Sequence, residues 1–206
     1  MKTEILPTEH SDAIIRAIAI LHKGGLIAFP TDTVYGVAAN PFDPAAIERL
    51  YEAKIREANK AIPVLIGTLD QIPLIAREVT DSAQRLARRF WPGALTLIVP
   101  MLESLPDTLS STPGIGLRMP DHAFALALLQ KTGPLATTSA NLSGGTNTTT
   151  AEEVLAQLDG RIELLLDGGK TPGGIPSTVV DCTQKDSHIL RQGSITLEQI
   201  QTALIS

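Results

Sequence analysis

Four groups of residues carry side chains suited to chemistry. The first is Thr31-Asp32-Thr33-Val34-Tyr35, set between Pro30 and Gly36. Pro30 fixes one backbone angle and Gly36 frees another, so the hydroxyls are held in a dictated shape. Hydroxyls on a stiff strand end suit a small polar ligand, although the same residues also suit a plain hairpin turn. The second group is Lys54, Arg56 and Lys60, within Lys54-Ile55-Arg56-Glu57-Ala58-Asn59-Lys60. Arginine grips a phosphate with two hydrogen bonds and lysine serves it as a point charge. A solvated helix end would use the same cations to complement its dipole. The third group is Ser139-Ala140-Asn141, after an apolar run and before Gly144-Gly145. Side chains at strand ends in α/β sheets line ligand crevices, and Ser, Asn and Gly equally make turns. The fourth is Arg118, set between Leu117 and Met119. A buried guanidinium requires an anion, which is either a protein carboxylate or the carboxylate of a substrate.

Other chemistries find no support. Gly169-Lys170-Thr171 resembles the end of a phosphate-binding P-loop, but Leu164 stands at the leading glycine and Pro172-Gly173-Gly174 follows where a helix must begin. The 4 histidines form neither a metal-ligand pair nor a Ser/His/Asp triad. The single cysteine, Cys182, excludes an internal disulfide framework and a cysteine-rich zinc site, and reads as a buried, reduced thiol.

The elements that must position these groups alternate along the chain. Ser11 and Asp12 are caps for a helix ending near Gly24, buried through Ile14, Ala17, Ile18 and Leu21. Leu26 to Phe29 reads as a buried strand. Asp43-Pro44 starts a helix that runs to Lys54. Strands follow at Pro63–Gly67, Leu95–Val99, Ile115–Met119, Leu135–Thr138, Glu163–Leu166, Ser177–Asp181 and His188–Gln192. Helices follow at Ser82–Phe90, Asp121–Gln130, Thr150 to about Gly160, and Thr196–Leu204. Met101 to Gly114, rich in Pro, Ser and Thr, reads as a long mobile loop. The alternation predicts one α/β domain over residues 1–206, with helices on both faces of a sheet. Some connections are too short for helical crossovers, so the sheet is mixed.

The chain has 206 residues, 43% of them hydrophobic, and a formal net charge of -5. That supports a sizeable core and argues against a general polyanion binder, while leaving room for a local basic pocket. Met1 to Pro7 lacks a basic region followed by a long apolar core, and no apolar run reaches membrane-spanning length. A cytoplasmic location fits.

Several motifs stand in one order: Phe29-Pro30-Thr31-Asp32-Thr33-Val34-Tyr35-Gly36, Lys54-x-Arg56, Trp91-Pro92-Gly93-x-Leu95-Thr96, Leu117-Arg118-Met119-Pro120, Ser139-x-Asn141 and Ser177-Thr178-Val179-Val180-Asp181. In this the chain resembles the YrdC-like family of L-threonylcarbamoyladenylate synthases, from the first helix to Arg191. The resemblance implies a twisted, mixed α/β sheet with a large positively charged cavity. It implies a nucleotidyl transfer: L-threonine, bicarbonate and ATP give threonylcarbamoyl-AMP, pyrophosphate and water. A partner complex then places the threonylcarbamoyl group on the adenosine beside the anticodon of certain tRNAs. Lys54, Arg56, Ser139 and Asn141 are implied as the catalytic set around the phosphates. Lys60, Asn147 and Arg191 are implied on the ATP side. Thr33, Arg118, Ser177 and the backbone of Thr137 are implied around threonine. Mg²⁺ is expected to arrive with ATP, since the sequence offers no carboxylate cage.

There are departures from the family pattern. Glu57 stands where a proline often follows the arginine, and Gly114 where some relatives carry a threonine. Ending at Ser206, the chain reads as a short form without the additional C-terminal domain of longer relatives. The alternative function is a double-stranded RNA or tRNA-binding module of the same fold, against which stand the acidic balance and the few aromatics.

Overall fold

Adjacent residues of the central strands face two different cores. Ile27 and Phe29 point to one side and Ala28 to the other; Leu164 and Leu166 oppose Leu165 in the same way. This period of 2 is what a strand buried on both faces requires. In the computed structural model, which describes residues 2–57, 60–184 and 187–205, these strands belong to one sheet.

The elements run β1 (Glu4–Pro7), α1 (Ala13–Leu21), β2 (Ile27–Phe29), β3 (Gly36–Ala39), α2 (Pro44–Lys54), β4 (Val64–Leu65), α3 (Asp81–Phe90) and β5 (Leu95–Pro100). They continue with β6 (Gly114–Arg118), α4 (Ala123–Thr132), β7 (Leu135–Ser139), α5 (Ala151–Leu158), β8 (Leu164–Asp167), β9 (Thr178–Asp181), β10 (His188–Arg191) and α6 (Leu197–Ile205). The strand order is β1-β8-β2-β3-β7-β4-β6-β5-β9-β10. The sheet is mixed: β1/β8, β8/β2, β4/β6 and β5/β9 pair in parallel, and the other neighbours are antiparallel. Among the described residues, no helix is long and apolar enough to cross a membrane.

Helices cover the two faces unequally. On one face α2, α3, α5 and α6 bury Ile47, Leu50, Leu86, Val154 and Ile200 against Val37, Val64, Leu97, Leu117 and Val180. On the other, α1 and α4 bury Ala17, Leu21, Leu128 and Leu129 against Ile27, Phe29, Ala38, Leu135 and Leu164. That second core does not extend to β5, β6 or β9. There the alternate residues are Thr96 and Ile98 on β5, Gly116 and Arg118 on β6, and Val179 on β9, and all of them line a cavity.

Local chemistry fixes the entry to this region. Asp43 caps α2, its Oδ1 accepting from Ala45 N (3.0 Å) and Ala46 N (3.2 Å), with Pro44 at the first turn. At the other end Ile55 adopts φ 52°, a left-handed conformation that β-branched residues rarely enter. The link from β8 to β9, two strands far apart in the sheet, passes the turn after β2. Gly174 N (3.0 Å) and Thr171 Oγ1 (3.2 Å) both donate to Thr33 O there. A Cβ on Gly173 would stand 2.2 Å from that same oxygen, so only glycine allows this approach.

Two expectations are corrected. The first helix closes near Gly24 as expected, its last turn running from Leu21 to Gly24 at φ 70°, but Asp12 sits at its N-cap without a side-chain capping bond. Met101–Gly114 is a packed segment: Leu105 and Leu109 are buried in the core, and Ser110 Oγ donates to Gly114 O at 2.8 Å. Its composition resembles a loop, but two leucines anchor it.

Candidate active site

Strand ends from β3, β5, β6, β7 and β9, with the turn after β2, enclose a cavity of about 360 Å³. Among the described residues its lining carries three arginines, Arg56, Arg118 and Arg191, and no carboxylate. Hydroxyls of Thr31, Thr33, Thr96, Thr137, Thr138, Ser139 and Ser177 complete the polar surface. Burial lowers the pKa of all three arginines, while Asp32 opposes this at Arg118. Guanidinium is never deprotonated in proteins, so all three arginines stay charged, with the Asp32 carboxylate answering Arg118.

Arg118 is held on three sides. Nε donates to Gly93 O (3.0 Å), Nη1 to Thr33 Oγ1 (3.1 Å) and Nη2 to Asp32 Oδ1 (2.6 Å). The residues alone leave its anion open between a protein carboxylate and a substrate, and the resemblance favours the threonine carboxylate; the structure supplies a protein carboxylate, Asp32. Thr33 is fixed in turn, its N–H donating to Thr31 Oγ1 (3.2 Å), which itself donates to Val34 O (2.7 Å). Across the cavity, Ser177 Oγ lies 2.8 Å from Thr96 Oγ1. Arg191 Nη2 donates to Ser177 O (2.9 Å) and Ser177 Oγ (3.3 Å). Arg56 borders the cavity with Nη2 on Ala61 O (3.1 Å) and Nε on Lys60 O (3.2 Å).

Thus Thr33, Arg56, Arg118, Thr137, Ser139, Asn147, Ser177 and Arg191 come together around one cavity. Lys54, Lys60 and Asn141 do not line it. Lys54 is buried, and its Nζ donates to the carbonyl oxygens of Ser139 and Asn141. Two of its three N–H groups are thus taken by backbone, and the lysine does not border the cavity. Burial, with Arg56 adding, pushes its pKa down to about 7. Asn141 Nδ2 fastens the following turn, donating to Leu142 O (2.8 Å) and Gly145 O (2.9 Å). Lys60 is half-exposed and pairs with Glu57 at 3.1 Å, so Glu57 answers this lysine. Ala58 and Asn59 of the basic loop lie outside the described residues.

Thr31 belongs to the first group of hydroxyls, but sequence reasoning did not single out Thr96. It is a polar side chain at the cavity-facing position of an otherwise apolar run, Leu95 to Val99, which is the signal that could have found it. Tyr35 borders the cavity, but its hydroxyl donates to Gly169 O at 2.7 Å, and burial pushes its pKa up to about 12.

Comparison with known proteins follows the same lines. Threonylcarbamoyl-AMP synthase of Pyrococcus abyssi (strain GE5 / Orsay) is 40% identical over 190 residues, which cover 91% of this chain and 56% of that protein. Threonylcarbamoyl-AMP synthase of Bacillus subtilis (strain 168) is 44% identical over 197 residues, covering 93% of this chain and 56% of that protein. The chain thus spans about half the length of these curated relatives. A solved structure of P. abyssi Sua5 complexed with L-threonine superposes with a TM-score of 0.90 at 38% identity, over 98% of this chain and 60% of that one. The Sua5/YciO/YrdC family model, described as telomere recombination, matches residues 19–193. A match of that extent, on a fold shared with Sua5, places the chain in the Sua5/YciO/YrdC family.

Proposed function

We propose that this chain makes threonylcarbamoyl-AMP and pyrophosphate from L-threonine, bicarbonate and ATP. The observation that carries the reading is the cavity itself: three arginines and a ring of hydroxyls, with no carboxylate among the described lining residues. Such a surface suits a substrate set with several negative charges. The names of the relatives, and the threonine in the Sua5 complex, support the same choice.

In this reading Arg118 and Thr33 take the threonine carboxylate, with Ser177 and Thr137 beside them. Arg56, Arg191, Ser139 and Asn147 take the nucleotide. The threonine amine and bicarbonate give a carbamate and water. A carbamate oxygen attacks the α-phosphorus, the bond to the bridging oxygen breaks, and pyrophosphate leaves with the electron pair. No covalent protein nucleophile is required. The arginines stabilise charge on the phosphates and the hydroxyls fix the approach. Lys54 and Asn141 act from behind, by shaping the turn that presents Ser139. Mg²⁺ belongs to ATP here: the lining offers it no carboxylate, so the phosphate oxygens carry it. The product is an activated acyl adenylate, and transfer to tRNA falls to a partner complex.

The test is pyrophosphate release by the purified chain with ATP and bicarbonate, with and without L-threonine. Release that depends on threonine supports the reading. Release that ignores threonine, or follows another amino acid instead, removes it.

A further inference from the structure

From Thr31 to Gly36, Asp32 alone does not border the cavity. Its carboxylate nevertheless lies 2.6 Å from Arg118 Nη2, and its side chain is only 12% exposed. Asp32 thus pairs with the guanidinium without itself bordering the cavity that Arg118 lines. A guanidinium has five N–H groups. Gly93, Thr33 and Asp32 accept from Nε, Nη1 and Nη2 respectively. One N–H remains on each terminal nitrogen without an acceptor among the described residues, so Arg118 keeps donors for a ligand carboxylate.

We propose that Asp32 is a positioning residue of the amino-acid subsite, acting through Arg118. It clamps the guanidinium so that the spare N–H groups serve a ligand carboxylate. This deepens the threonine reading and rests on it. The rival arrangement, in which Asp32 occupies the place of the ligand carboxylate, would set its oxygens in the cavity, where the structure does not put them.

The experiment compares the full chain with Asp32→Ala and Asp32→Asn. It reads the threonine and ATP KM values, thermal melting, and the arginine side-chain ¹⁵N signals of Arg118. Loss of one charge-assisted hydrogen bond predicts a threonine KM raised about 10- to 100-fold in Asp32→Ala, with the ATP KM changed by about twofold at most. Asp32→Asn keeps an acceptor oxygen and should show an intermediate rise. The Arg118 Nη signals, restrained in the parent chain, should broaden towards free rotation in Asp32→Ala. An unchanged threonine KM overturns the proposal, and so does a lowered one, which would make Asp32 a competitor. Parallel loss of threonine and ATP binding also overturns it, because that is a folding defect; a lower melting temperature alone is expected when a buried pair is broken from one side. If Asp32→Ala does not fold, Asp32→Asn decides on the same two readouts: a threonine-only rise supports, and no change overturns. If pyrophosphate release by the parent chain ignores threonine, the substrate reading fails separately. The ¹⁵N signals then judge the clamp alone: release of Arg118 in the variant upholds it, and unchanged signals overturn it.

Discussion

The Lys54 ammonium donates to the Ser139 carbonyl, so the last residue of α2 holds up the turn that follows β7. Asn141 O accepts from the same nitrogen, and Lys54 O in turn accepts from Ser143 N at 2.9 Å. The lysine thus joins helix and turn on both its side chain and its backbone. Arg56, two residues on, borders the cavity. Ile55, left-handed between them, lets the two cations take these different roles.

Removing the Lys54 ammonium should therefore damage the fold as well as the reaction. Lys54→Met leaves two buried carbonyls without their donor, at about 1–3 kcal/mol each. The variant should melt earlier, and Lys54→Arg should not rescue it, since a planar fork does not replace a compact ammonium. The pH dependence has a definite sign. Lys54 has a folded pKa near 7 and an unfolded one near the ordinary lysine value. Between them the unfolded chain binds the extra proton, so this group makes stability rise as pH rises through that window. Denaturant melts at pH 6 and pH 9 should show the parent gaining on Lys54→Met at the higher pH. A shrinking difference would mean that the two carbonyls hold the ammonium charged.

Ser139 and Asn141 should separate. Ser139 lines the cavity, while Asn141 Nδ2 is spent on Leu142 O and Gly145 O, leaving its buried Oδ1 without a partner among the described residues. Ser139→Ala should lower adenylate formation with little change in melting. Asn141→Ala should cost about 1–2 kcal/mol of stability, because two carbonyls lose their donor. Equal melting temperatures for the two variants would contradict this division.

Ile55 offers a test of strain. An L-residue with a Cβ in the left-handed region costs about 1–2 kcal/mol, and this side chain is 66% exposed, so little packing opposes its removal. Ile55→Gly should raise stability by up to about 1 kcal/mol once the extra chain entropy of glycine is subtracted. It should also slow adenylate formation, because Arg56 loses its fixed direction. A variant that is less stable than the parent would show that Ile55 is not strained.

Much of this architecture is legible in the residues themselves. Asp43-Pro44 announces the start of α2, and the run Leu95-Thr96-Leu97-Ile98-Val99 carries the alternation that puts Thr96 on the cavity face. Other features are not legible, because their causes are distant. Asp32 meets Arg118 across 86 positions, and no local pattern announces that pairing. Lys54 resembles a cation complementing a helix dipole; its inward course depends on a left-handed isoleucine, which propensity disfavours. Met101–Gly114 has the composition of a loop, yet burial of Leu105 and Leu109 outweighs composition.

Arg118 allows the two halves of the site to be told apart. Arg118→Leu removes the guanidinium and leaves Asp32 buried without its cation. Breaking a buried pair from one side costs about 3–5 kcal/mol, so the single variant should melt much earlier than the parent. That outcome alone says nothing about threonine. The double variant Asp32→Ala with Arg118→Leu removes both charges, and replacing a buried pair by apolar groups is often neutral. It should therefore regain most of the lost stability. It should not regain threonine binding, since no cation then remains beside Thr33 Oγ1. ATP affinity, assigned to Arg56 and Arg191, should survive in the double variant. Melting curves with threonine and ATP calorimetry on the three proteins give the answer. A double variant that is stable and still binds threonine would remove Arg118 from the amino-acid subsite and leave the Asp32–Arg118 pair a purely architectural one.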